Sequence, residues 1–294
     1  MGYQALIKGD TDLLDSFVKK REFLICVDSD GCAMDTMNCK HFLSFGPCMV
    51  DEWGLGEWRD EILHRWNEIN LYQVTRGINR FKGLAMALDE INNKYTRIAG
   101  VEALIEWCSK AKALSMPALS EYISTVPAGE GKVCLTKALA WSRAVNESIN
   151  LIPEDKKVPF DGAGEGLCAA HAVADVAIVS SANREAVLEE WEKFSLLPHT
   201  DVMLTQDVGS KAYCIGEMLK FGYDRSHVLM VGDAIGDLDA AKSNGVLFFP
   251  ILPGKERESW DELRLVGIKK LTDGSYSGEY SEKKISEFMD NFIS

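Results

Sequence analysis

The sequence predicts an α/β protein: a doubly wound parallel sheet with a long, mostly α-helical segment inserted into it. Three observations point there. Short apolar runs alternate with helix-like segments after residue 174, a similar run stands alone at residues 23–27, and the stretch between them reads as helix after helix.

In chain order, FLICV at 23–27 has the length and composition of one buried strand. From about residue 51 the spacing turns helical, as in EWRDEILHRWNEIN, where Trp58, Ile62, Trp66 and Ile69 share a face. GLAMALDEINN, VEALIEWCSKAKAL and GKVCLTKALAWSRAVNESI continue the pattern, broken by VPAGEG and LIPEDKKVPFDG. Trp53, Trp58 and Trp66 are expected in the core of this insert. GAGEG at 162–166 lacks a preceding strand, so it reads as a hinge and helix start rather than a dinucleotide loop. After it come DVAIVSS, DVMLTQD, HVLMVGD and VLFFPIL as strands, with NREAVLEEWEKF, KAYCIGEMLKFG and IGDLDAAKSNG as the helices between them.

A chain of 294 residues, 46% hydrophobic, has ample material for one large domain or two modest ones. Its formal charge of -13 argues against a nucleic-acid partner held through phosphates. The apolar runs FLICV and DVAIVSS are too short for a membrane span. The first residues lack a basic start followed by an apolar block, so no export signal is expected; Leu6 argues against myristoylation at Gly2. None of the eight cysteines forms a C-x-x-C pair, and the five histidines show no ligand spacing, as expected of reduced thiols in a cytoplasmic protein without zinc. No pattern specifies an oligomeric state.

The polar residues that follow each apolar run carry the functional expectation, because open α/β sheets gather ligands outside the carboxyl ends of their strands. FLICV is followed by Asp28 and Asp30, which extended backbone turns to one side. AIV leads to Ser180 and Ser181, with Asn183 opening the next helix; DVMLTQD leads to Gly209, Ser210 and Lys211; VLMVG leads to Asp233 and Asp237. Brought together, the carboxylates suit a hard cation such as Mg2+. Lys211, a serine hydroxyl and the helix start at Asn183 suit phosphate oxygens. Phosphoryl transfer needs this kind of positioning and charge neutralisation. One acid of the pair then serves as nucleophile and the other as the acid/base. Ser180 and Ser181 also suit a helix cap, and Asp237 also suits a first-turn acid facing the helix dipole.

DSDG, the serine ending VAIVSS, Lys211 and GDAIGD, in this order, resemble the four motifs of the haloacid dehalogenase (HAD) superfamily. The resemblance covers roughly the first 35 residues and everything after about 159. It implies a Rossmann-like core made of residues 1–35 and 159–294, with 36–158 as a helical cap domain. It implies a Mg2+-dependent phosphohydrolase acting on a small phosphorylated metabolite. Asp28 matches the nucleophile and metal ligand, and Asp30 the acid/base that also lends its carbonyl to the metal. Ser180 and Lys211 match the phosphate-holding residues, Asp233 a metal ligand and Asp237 the second acid of the GDxxxD form. GCAMDTM resembles the turn after the first strand. In the insert, Arg76, Asn79 and Arg80 of TRGINRFKG form a polar cluster suited to substrate contact, with a solvated turn as the alternative.

Asp30 separates a phosphatase from haloacid dehalogenases, which do not need the second acid. A sugar-phosphate mutase uses the same two aspartates and is the runner-up. A phospho-accepting receiver switch also has acids and a lysine on a doubly wound sheet. Such domains are short and uninterrupted, unlike this chain.

Overall fold

The computed structural model describes residues 13–292, so the expectation about the first residues lies outside the described ones. Five strands form one parallel sheet: β1 (Phe23–Val27), β2 (Ala174–Val179), β3 (Val202–Leu204), β4 (Val228–Gly232) and β5 (Leu247–Pro250). Their order is β3-β2-β1-β4-β5, with Val27 level with Ile178 on one side and Val231 on the other. Every strand is buried almost end to end, which is why each reads as an unbroken apolar run. β1 is central: the chain lays β2 and β3 to one side, then crosses to lay β4 and β5 on the other. The reversal opens the crevice between the carboxyl ends of β1 and β4 where such sheets place ligands. Helices Ala163–Val173, Ile235–Asn244 and Glu279–Asp290 pack against β2, β4 and β5. Gly162, at φ 87°, turns the chain into the first of these, so GAGEG is a helix start as its sequence predicts.

Contacts divide the chain into two units, residues 13–37 with 154–292, and residues 38–153. The second boundary falls before the expected 158 because the chain has already rejoined the sheet unit there. Asp35 donates its N–H to Val158 O at 2.8 Å, and Phe160 to Ala33 O at 3.0 Å. Glu154 pairs with Lys193 at 2.9 Å.

The inserted unit has its own apolar cluster, including Trp66, Phe81, Leu84, Leu135 and Trp141; Trp53 and Trp58 pack partly buried against it. Its longer helices are Gly46–Trp53, Arg59–Asn67, Arg80–Lys94, Val101–Lys110, Met116–Thr125 and Glu130–Asn150. Helical structure starts earlier than the spacing predicts, at Met37–Lys40. It is also interrupted by π-helical turns at His41–Phe45 and Glu68–Tyr72. No described helix is long and apolar enough to cross a membrane.

Candidate functional site

β1 delivers Asp28. Its N–H donates to Val231 O at 3.0 Å, extending the ladder to β4 by one residue and holding the acid beside the end of β4. The residue is 4% exposed. Directly after it the chain folds into a tight loop in which the Ser29 carbonyl accepts the amides of Cys32, Ala33 and Met34. Gly31 sits at φ 85°, where a side chain is strained by about 1 kcal/mol, and this accounts for glycine after the second acid. The loop is pinned by two buried indoles: Trp191 Nε1 donates to Ser29 Oγ at 2.9 Å and Trp260 Nε1 to Cys32 O at 3.0 Å. Asp30 is half-buried, and its Oδ1 accepts the hydroxyl of fully buried Thr36.

β4 delivers Asp233, fully buried, and the helix Ile235–Asn244 delivers Asp237. Asp237 Oδ2 accepts the amides of Asp233 (3.2 Å) and Ala234 (3.0 Å), closing the turn into its own helix. A Cβ on Gly232 would stand 2.3 Å from Asp237 Cγ, so only glycine permits this approach. Asp237 thus braces the start of its own helix and lies beside the other acids.

Ser210 caps the helix Lys211–Leu219 by accepting the Tyr213 amide at 3.2 Å, and so sets the direction of Lys211. The Lys211 ammonium lies 2.7 Å from Asp28 Oδ2 and 2.6 Å from Asp237 Oδ1. Burial works against its charge, but Asp237 and Asp28 prevail and hold its pKa above the ordinary lysine value. For Asp28 the balance is opposite. Burial raises its pKa well above the usual carboxylate range, Lys211 opposes this, and the Asp237 and Asp233 carboxylates add to the rise.

Asp28, Asp233 and Asp237 each offer an oxygen, all within 4.8 Å of one another. Three carboxylates and one ammonium leave two negative charges in a buried space, and the donors are hard oxygens. That set fits a divalent cation of the Mg2+ kind.

Ser180 follows β2, is 2% exposed, and donates its N–H to Leu204 O at 2.9 Å while its Oγ accepts the Ala182 amide at 3.1 Å. The register places it just past the level of Asp28 on the neighbouring strand. The loops after β2 and β3 are tied by Arg184 Nε to Asp207 Oδ2 at 2.9 Å. Ser181 is exposed, and Asn183 is occupied as a cap, its Oδ1 accepting the amides of Glu185 and Ala186. In the inserted unit, Arg76 is buried and donates to Leu71 O at 2.9 Å. Asn79 caps the helix Arg80–Lys94 through the Phe81 amide, and Arg80 reaches Ser142 and Asn146. Each of the three has a role within its own unit.

Sequence reasoning missed Thr36, Trp191 and Trp260. A tryptophan buried in a domain must find an acceptor for its indole N–H, which is the only signal the two indoles give.

A sequence profile described as haloacid dehalogenase-like hydrolase matches residues 129–251, a span that contains Ser180, Lys211, Asp233 and Asp237. No curated protein matches the chain. Among solved structures, it resembles a HAD-superfamily hydrolase of subfamily IA from Geobacter sulfurreducens at 15% identity and a TM-score of 0.40, covering 84% of this chain and 100% of that one. A protein provisionally named a phosphoglycolate phosphatase from Lactobacillus delbrueckii subsp. bulgaricus is 15% identical with a TM-score of 0.48, covering 78% and 85%. The L-2-haloacid dehalogenase from Xanthobacter autotrophicus is 14% identical with a TM-score of 0.37, covering 78% and 77%. The acids, serine and lysine stand in motif order on strand ends of a parallel sheet, and across the later motifs the chain is similar to the haloacid dehalogenase-like hydrolases.

Proposed function

We propose that the chain is a Mg2+-dependent phosphatase acting on a small phosphorylated metabolite through an aspartyl-phosphate at Asp28. The observation that carries this reading is the buried Asp28 carboxylate, 2.7 Å from the Lys211 ammonium, with a second acid two residues on. Asp28, Asp233 and Asp237 would hold the cation, which when bound neutralises charge on the carboxylates and on phosphate oxygens.

The residues then divide the work. Lys211 and Ser180 hold phosphate oxygens. An Asp28 oxygen attacks phosphorus as the ester P–O bond breaks, and protonated Asp30 gives its proton to the leaving alkoxide. Asp30, now a carboxylate, takes a proton from water; the hydroxide attacks phosphorus and releases inorganic phosphate with Asp28 regenerated. The hydrogen bond from Thr36 fixes the Asp30 carboxyl for both transfers. A halide leaves without a proton, whereas an alkoxide needs one, and this makes Asp30 the reason to favour phosphate esters over carbon–halogen bonds.

The test is single-turnover acid quenching with 32P-labelled phosphomonoesters, with and without EDTA. Label on Asp28, formed only with Mg2+, is the expected result. Phosphate release without any labelled protein, or turnover indifferent to chelation, overturns the reading. Halide release from haloacids would assign a dehalogenase, and an isomeric phosphate ester as product would assign a mutase.

A further inference from the structure

Among the described residues, the inserted unit carries a cation with no counter-charge. Arg80, first residue of the helix Arg80–Lys94, is half-buried. Its Nη1 donates to Asn146 Oδ1 at 2.7 Å, Ser142 Oγ at 3.1 Å and Ser142 O at 3.5 Å, and its guanidinium lies 5.0 Å over the Phe45 ring. All of these partners are neutral. Among the described residues no Asp or Glu pairs with Arg80, and burial lowers its pKa. Arg65 of the same unit shows the usual arrangement: Glu90 takes its Nε and Nη2 at 2.6 and 2.8 Å, and Glu68 takes Nη1 at 2.9 Å.

A guanidinium drawn partly out of water beside neutral acceptors recovers only part of its lost hydration. The Arg80 bonds all use Nη1, so Nε and Nη2 donate to no protein group among the described residues. That edge matches the two oxygens of a carboxylate or phosphate. The guanidinium is also held in place. Ser142 is fully buried, Phe45 is 8% exposed, and Phe45 is backed by His41 at a centroid distance of 4.6 Å.

We propose that the Nε–Nη2 edge of Arg80 is an oxyanion-binding site of the inserted unit, taking a carboxylate or phosphate group while Phe45, Ser142 and Asn146 fix the guanidinium. The group belongs to a separate small anion.

The binding test needs no turnover. In the full chain labelled with 15N-arginine, the Arg80 Nε–H resonance, assigned through Arg80→Lys, is followed while sodium acetate or inorganic phosphate is added. A saturable shift with a midpoint of about 1–10 mM is expected, since a single bidentate pair is a weak site. A resonance that fails to saturate, or that moves no more than the other arginines, overturns the site whatever the state of the phosphatase activity. Circular dichroism confirms that Arg80→Lys, which keeps the charge and stem but not the fork, is folded.

Discussion

The two edges of the parallel sheet treat buried acids in opposite ways. At the amino edge, Asp175 is 1% exposed and its Oδ2 accepts the amides of Lys20 (2.9 Å) and Arg21 (3.0 Å) and the Tyr223 hydroxyl (2.5 Å). Nearby, Asp201 accepts Lys20 Nζ at 2.7 Å and the Val176 amide at 2.9 Å, with His171 Nε2 at 3.3 Å. At the carboxyl edge, Asp28, Asp233 and Asp237 crowd within 4.8 Å around one ammonium. The titration directions follow. Burial raises the Asp201 pKa, but the bonds from Lys20 and Val176 pull it below its ordinary value. Burial together with Asp237 and Asp233 leaves Asp28 raised despite Lys211. An acid supplied with its own donors holds the sheet together, whereas acids gathered against each other are held ready for chemistry.

Asp28→Asn separates these roles most sharply. Turnover is expected to fall by about 10^4-fold or more, while the thermal midpoint holds or rises because one crowded carboxylate is gone. Near-wild-type turnover would erase the distinction. Lys211→Met strips Asp28 and Asp237 of the ammonium they share; urea unfolding of the metal-free protein should show a loss of about 3–5 kcal/mol, as for a broken buried pair. An unchanged unfolding midpoint would mean that the acids are already neutral without the lysine.

At the amino edge, Asp175→Ala leaves three donors facing a void and should cost about 3 kcal/mol by urea titration, with turnover per folded molecule unchanged. A matching loss of kcat would show that the edges are coupled. The smallest effect is expected from Asp201→Asn. Since the folded-state carboxyl lies below its unfolded value, its contribution of about 1 kcal/mol is complete above roughly pH 4 and fades as pH falls through the lowered native pKa. The stability gap between wild type and variant should therefore be widest near neutrality and close in acid. A gap that widens in acid would reverse the assignment.

The carboxyl edge is the more legible of the two in the sequence. Burial on both faces writes β1, β2 and β4 as apolar runs, and the acids stand out where those runs stop. β3 shrinks to Val202–Leu204, shorter than DVMLTQD suggests, because Asp201 turns back to the Val176 amide and Thr205 bonds Asp207. The amino edge is invisible in the sequence: Asp175 lies 155 residues from Lys20 and 48 from Tyr223, and no local spacing announces either partner. Trp191 and Trp260 reach Ser29 and Cys32 across 162 and 228 residues, and were missed for the same reason. In the inserted unit, periodicity finds the helices but not the π-helical turns at His41–Phe45 and Glu68–Tyr72.

The central position of β1 has a consequence for how this protein comes into being on the ribosome. Asp28 is translated well before the strands that flank it, which begin at Ala174 and Val228, on the far side of the whole insert. A growing polypeptide thus carries Asp28 long before the lysine and acids that gather around it exist. The cluster of acids is complete only once the fourth strand is in place, which makes its assembly a late, long-range event.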